Sequence, residues 1–84
     1  MLYYLLQSRS LTYAQRTAAV LERAGIPARL VRSPKIIASD GCTHSVRIAQ
    51  RYLPDTLRIL NHADLSPKRI FITAGDGSFQ EVEL

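Results

Sequence analysis

Cys42 sits in Ser39-Asp40-Gly41-Cys42-Thr43-His44-Ser45-Val46-Arg47 and is the only cysteine among 84 residues. One thiol cannot close an internal disulfide, complete a CxxC redox pair or build a thiolate metal site, because each needs a second sulfur. It is either a small buried hydrophobe or a lone reactive thiol. The neighbours favour the reactive reading. A core cysteine normally sits among apolar residues, whereas this one is flanked by Asp40, Gly41, Thr43 and His44. The thiolate is the nucleophile, and nearby cations raise its share at neutral pH. Lys35, His44 and Arg47 supply positive charge near Cys42, with Asp40 opposing them. His44 and Arg47 are the candidate thiolate stabilisers. The hydroxyls of Ser39, Thr43 and Ser45 can donate to a sulfur anion.

Other site chemistries find less support. A Cys/His nucleophilic enzyme would need a third, orienting residue, and none is evident. His62 falls at a predicted helix end, where a cation is favourable, and reads as a capping residue. Cys42, His44 and His62 lack zinc-ligand spacing, so no metal is expected. No glycine-rich phosphate loop or other cofactor motif is present, because Gly75-Asp76-Gly77 is a hairpin signal.

The elements that must position Cys42 follow from periodicity. Leu2 to Gln7 suits a buried first strand. A helix is expected from the Ser8–Thr12 region to Ala24, with Leu11, Ala14, Thr17, Ala18, Val20, Leu21 and Ala24 on its apolar face. Gly25, Ile26 and Pro27 stop it. Ala28 to Arg32 is the second strand, with Arg29 and Val31 opposite Leu30 and Arg32. An irregular stretch, Lys35 to Gly41, leads into Cys42. Ser45 to Ala49 is the third strand, with Val46 and Ile48 on one face. A second helix runs from about Pro54 to Ala63, with Leu53, Leu57, Leu60 and Ala63 as its stripe. Arg69 to Thr73 is the fourth strand, and Phe79 to Leu84 alternates like an edge strand.

A weak internal repeat supports this order. Val20-Leu21-Glu22-Arg23-Ala24-Gly25-Ile26 parallels Ile59-Leu60-Asn61-His62-Ala63-Asp64-Leu65. The expected fold is α+β, a ferredoxin-like split βαβ of order β-α-β-β-α-β in one domain, residues 1–84. Two helices lie on one face of a four-stranded antiparallel sheet, with room for an extra C-terminal edge strand. The other sheet face must be polar, or be covered by the tail or a partner. Tyr3 or Tyr4, Arg47 and Thr73 are candidates to lie there.

Composition narrows the partners. The net charge is +4, and nine of the eleven cations are arginine. Residues 1–60 hold nine Lys/Arg against Glu22, Asp40 and Asp55, and residues 61–84 hold two against four acids. Such a surface can dock an acidic partner, or simply be solvated. The third strand lacks the aromatics of the common ferredoxin-like RNA modules, so nucleic acid is not the expected partner. No apolar run approaches the roughly 20 residues that span a bilayer. A free thiol and a start without a basic n-region fit a reducing cytoplasm. An open sheet face or edge strand makes a homodimer plausible.

From its opening strand to its basic final strand, the chain resembles a selenium/sulfur carrier-like family of short bacterial proteins, a domain of unknown function. The resemblance rests on the helix ending Ala24-Gly25-Ile26, Ser33-Pro34-Lys35, the serine/glycine run into Cys42, Arg47, and Ala63-Asp64-Leu65. Thr43 stands where the family often has glycine, and the tail from Gly75 extends past its usual end. The resemblance implies that Cys42 carries sulfur or selenium from a donor protein to an acceptor, as an accessory protein rather than a stand-alone enzyme. The alternative is a ferredoxin-like interaction or ligand-sensing module with an incidental cysteine.

Overall fold

Among the described residues, five strands and two helices follow one another as β1 (Tyr3–Gln7), α1 (Leu11–Arg23), β2 (Arg29–Arg32), β3 (His44–Ala49), α2 (Leu53–His62), β4 (Arg69–Thr73) and β5 (Phe79–Glu81). A 3-10 turn, Gln50–Tyr52, leads into α2. They are seen in a computed structural model, which describes residues 2–33, 44–73 and 78–82. The strands form one antiparallel sheet in the order β2-β3-β1-β4-β5. The sequence predicted four strands and left the tail as an optional edge; the sheet has five. The tail joins because Phe79 and Glu81 pair with Thr73 and Phe71 on β4.

Strand alternation sorts the sheet residues into two layers. Leu6, Val46, Ile48 and Ile70 face the helices and pack with Ala14, Leu21, Ile26 and Leu60 in the main core. Tyr4 packs against this core, and so does Val82 just after β5. Tyr3, Leu5 and Gln7 therefore point to the opposite face, with Arg47, Phe71 and Thr73. Thr73 Oγ1 donates to the Tyr3 carbonyl at 3.3 Å, which holds β4 to β1 there. Leu5 and Phe71 form a second small cluster on this face, with Val31 and Phe79 against it. Two guanidiniums lie over rings here: Arg47 is 4.7 Å from the Tyr3 centroid and Arg69 is 5.1 Å from that of Phe71. Such stacking is attractive and leaves a charged surface toward water.

The helix ends show the repeat in atomic detail. At α1, Ser10 accepts a hydrogen bond from the Tyr13 N–H and so caps the start. At its other end Gly25 is left-handed (φ 84°). There the Ile26 N–H reaches the Leu21 carbonyl at 2.9 Å and the Gly25 N–H that of Glu22 at 3.0 Å. This is the Schellman bond pair. The end of α2 repeats it, with Leu65 N–H on the Leu60 carbonyl at 2.8 Å and Asp64 N–H on that of Asn61 at 3.3 Å. There Asp64 takes the left-handed position (φ 58°) that Gly25 holds in the first unit. The same spacing aligns Thr17 with Thr56, and both are fully buried.

The apolar stripes are narrower than the sequence suggested. Leu11 is 43% exposed, and Ala24 and Ala63 are also exposed. Thr56, absent from the predicted stripe, is buried in their place.

Candidate functional site

Cys42 lies outside the described residues, together with Lys35, Ser39 and Thr43, so what can be described is the frame around them. β2 and β3 are adjacent and antiparallel, with Arg32 opposite His44. Residues 34–43 connect them. The base of this hairpin is fastened by a hydrogen bond between the hydroxyls of Ser33 and Ser45, 2.6 Å apart and buried. Both serines fall on the face away from the helices, and the β2–β3 register brings them together. Sequence reasoning offers Ser45 as a donor to sulfur and assigns Ser33 no bond. In the structure the hydroxyl of Ser45 is hydrogen-bonded to that of Ser33. The signal that could have found this was the matching parity of two small polar residues on neighbouring strands.

The two candidate cations part company on β3. His44 is half-buried and opens the strand two residues after Cys42, on the same face as Val46 and Ile48. Arg47 is three residues on, so it points to the other face. Its guanidinium leans onto Tyr3, which pairs with Ala49 at the far end of the strand. The structure does not bring His44 and Arg47 together. His62 closes the last turn of α2, exposed, where a cation complements the helix dipole.

At that far end of β3 lies a cleft of about 530 Å³, lined by Tyr3, Glu22, Arg29, Arg47, Arg51 and Tyr52 among others. Arg29 and Arg47 are direct cross-strand partners on one face. Arg51 lies over the Tyr52 ring at 4.9 Å and donates to its hydroxyl at 3.2 Å. Among the described residues, none of these three arginines is paired with a carboxylate. The sequence displayed the excess of arginine but not this gathering, because the register of β2 on β3 is a tertiary fact.

Among the described residues, no group of three His, Cys, Asp or Glu side chains could hold a metal ion. No helix among the described residues is long and apolar enough to cross a membrane.

The fold and frame define a small two-helix α+β protein, with its lone cysteine in the connection between two neighbouring strands. Residues 3–72 match the family described as "Putative Se/S carrier protein-like", and the chain belongs to that family. The match runs from the first residue of β1 to the penultimate residue of β4 and takes in Cys42. β5 lies beyond it. No curated protein and no solved structure matches the chain significantly.

Proposed function

We propose that this protein is a sulfur or selenium carrier that presents Cys42 to donor and acceptor proteins. The observation that carries the reading is the position of the chain's one cysteine. It lies inside the segment matched to the carrier family, on a connection fastened at its base.

In the loading step the Cys42 thiolate attacks the outer sulfur of a donor's protein persulfide. A new S–S bond forms, the donor's own S–S bond breaks, and the donor cysteine leaves as a thiolate with the electron pair. Cys42 then holds a persulfide, a reversible cap. In delivery, an acceptor thiolate attacks that outer sulfur and Cys42 leaves as thiolate. With selenium the outer atom is selenium and the electron accounting is the same. No net oxidant is consumed, and no deep pocket is required.

His44 is the better-placed thiolate stabiliser, since it opens β3 two residues after Cys42. The role assigned to Arg47 from the sequence competes with its stacking on Tyr3. The arginine-rich first sixty residues would steer acidic donors and acceptors. We read the scaffold as one ferredoxin-like domain, supported by the β-α-β-β-α-β element order and the β2-β3-β1-β4 run of the sheet. A reducing compartment such as the cytoplasm suits a carrier thiol.

The test is mass spectrometry of the intact protein after incubation with a persulfidated donor. A gain of one sulfur, absent in Cys42→Ser and removed by a thiol acceptor, is expected. A wild-type protein that gains nothing while its donor still transfers to glutathione would sink the proposal.

A further inference from the structure

We infer that the cleft at the end of β3 away from His44 binds a small phosphate monoester, through Arg29, Arg47 and Arg51. This site is separate from the Cys42 connection and does not rest on the carrier reading.

The first argument is electrostatic. Like charges directly opposite one another in a sheet destabilise it. Arg29 and Arg47 stand in that relation, and Arg51 lines the same cleft. None has a carboxylate partner among the described residues. The lining carries three positive charges and the one negative charge of Glu22, which leaves +2. A phosphate monoester is close to a dianion at neutral pH and balances that charge.

The second argument is geometric. Arg47 and Arg51 lie over tyrosine rings, 4.7 and 4.9 Å from the centroids. A guanidinium held over a ring keeps N–H donors for an anion, although Arg51 spends one on the Tyr52 hydroxyl. Those N–H groups form the fork that matches phosphate oxygens. Stacking also restricts the side chain before any ligand arrives, which lowers the entropy lost on binding.

The third argument concerns the rest of the ligand. A volume of about 530 Å³ falls in the range of small-molecule sites, and is far more than a bare phosphate fills. Tyr3 and Tyr52 offer half-buried aromatic surface to a planar group, and Glu22 can accept hydrogen bonds from a hydroxyl or amine. The fitting class is a phosphate monoester with a planar, hydroxyl-bearing organic part, the size of a nucleoside monophosphate.

The test is calorimetric titration of the full chain with adenosine monophosphate, adenosine and inorganic phosphate. Adenosine monophosphate should bind, phosphate more weakly, and adenosine at least about tenfold more weakly, reflecting lost charge-assisted hydrogen bonds. Arg29→Gln should weaken the nucleotide about tenfold. Its fold should be intact, since Arg29 is exposed and its side chain makes no hydrogen bond, ion pair or ring contact among the described residues. Arg47→Gln should do the same, with circular dichroism checking its fold. Cys42→Ser should bind like the wild type, so this site and the carrier role stand or fall apart. The inference is overturned if the nucleotide gives no binding at millimolar concentration, if adenosine binds equally well, or if Arg29→Gln is unaffected. An oligoadenylate that binds more tightly than the monomer, with steep salt dependence, would overturn it in favour of a nucleic-acid surface.

Discussion

Gly25 and Asp64 occupy equivalent left-handed positions, φ 84° and 58°, at the ends of two equivalent helices. Exchanging their residue types gives a prediction with opposite signs at the two ends. A Cβ at Gly25 would meet nothing within 4 Å, so Gly25→Ala carries only the backbone penalty. That penalty is roughly 1–2 kcal/mol for an L-residue in the left-handed region. Restricting the unfolded chain returns about 0.4–1 kcal/mol. The net loss is about 1 kcal/mol, or a fall in Tm of about 4–8 °C for a domain of this size. At Asp64 the balance reverses. Aspartate tolerates the left-handed region better than alanine does, so Asp64→Gly relieves a smaller strain against the same entropy. Its net gain is at most about 0.5 kcal/mol by the same accounting. Asp64→Ala should lose stability. Urea unfolding measures all three, with the midpoint moving and the slope unchanged. A neutral Gly25→Ala, or an Asp64→Gly variant clearly less stable than wild type, would refute the claim that left-handed residues hold the two helix stops.

Further outcomes can be checked. Thr56 Oγ1 is fully buried and has no hydrogen-bond partner among the described residues, so Thr56→Val should stabilise by about 1 kcal/mol in thermal unfolding. Ser33→Ala strands the buried hydroxyl of Ser45 and should cost about 1–2 kcal/mol, whereas Ser33→Ala with Ser45→Ala should cost less than the sum of the single changes. The Arg69 guanidinium, hydrogen-bonded to the Glu81 carboxylate, holds its pKa below the usual range. A carboxyl whose folded pKa is depressed stabilises fully above its unfolded value of about 4.3, and loses that contribution as pH falls through the folded value. In an NMR titration Glu81 should therefore protonate below the usual carboxylate range, and Arg69→Gln should bring it back up. Under the carrier reading, Cys42 should label faster with iodoacetamide at pH 7 than a free thiol, and His44→Ala should slow it about threefold or more. Equal rates in the two proteins would remove His44 from the site.

What the sequence made legible was what depends on near neighbours. The stop at Gly25 and the repeat in Asp64 were readable because a Schellman end is set by a few consecutive residues. The faces of β2 and β3 followed from alternation, which placed Arg29 with Val31 and Val46 with Ile48. The register was not readable, since nothing in Arg29 or Arg47 alone states that they are opposite each other. The choice between Tyr3 and Tyr4 was likewise left open until β1 paired with both neighbours. Thr56 is absent from the expected stripe, although the repeat carried back by three residues aligns it with Thr17, which the stripe of the first helix includes. At the candidate site, the sequence picked out His44 and Arg47 by proximity along the chain. Alternation separates them across the sheet once both lie in one strand, but the predicted strand begins at Ser45, one residue after His44.

The guanidiniums lying over Tyr3 and Phe71 bear on how this protein can be studied. Arginine stays charged at any pH a protein survives, so the cover on that face cannot be titrated away. A dissolved guanidinium ion is a chemical copy of the same group and can compete for the same rings. Guanidinium chloride should thus strip the cover as a ligand before it acts as a denaturant. Stability measured in that salt and in urea should then extrapolate to different values, and urea is the solvent that reports the protein with its rings still covered.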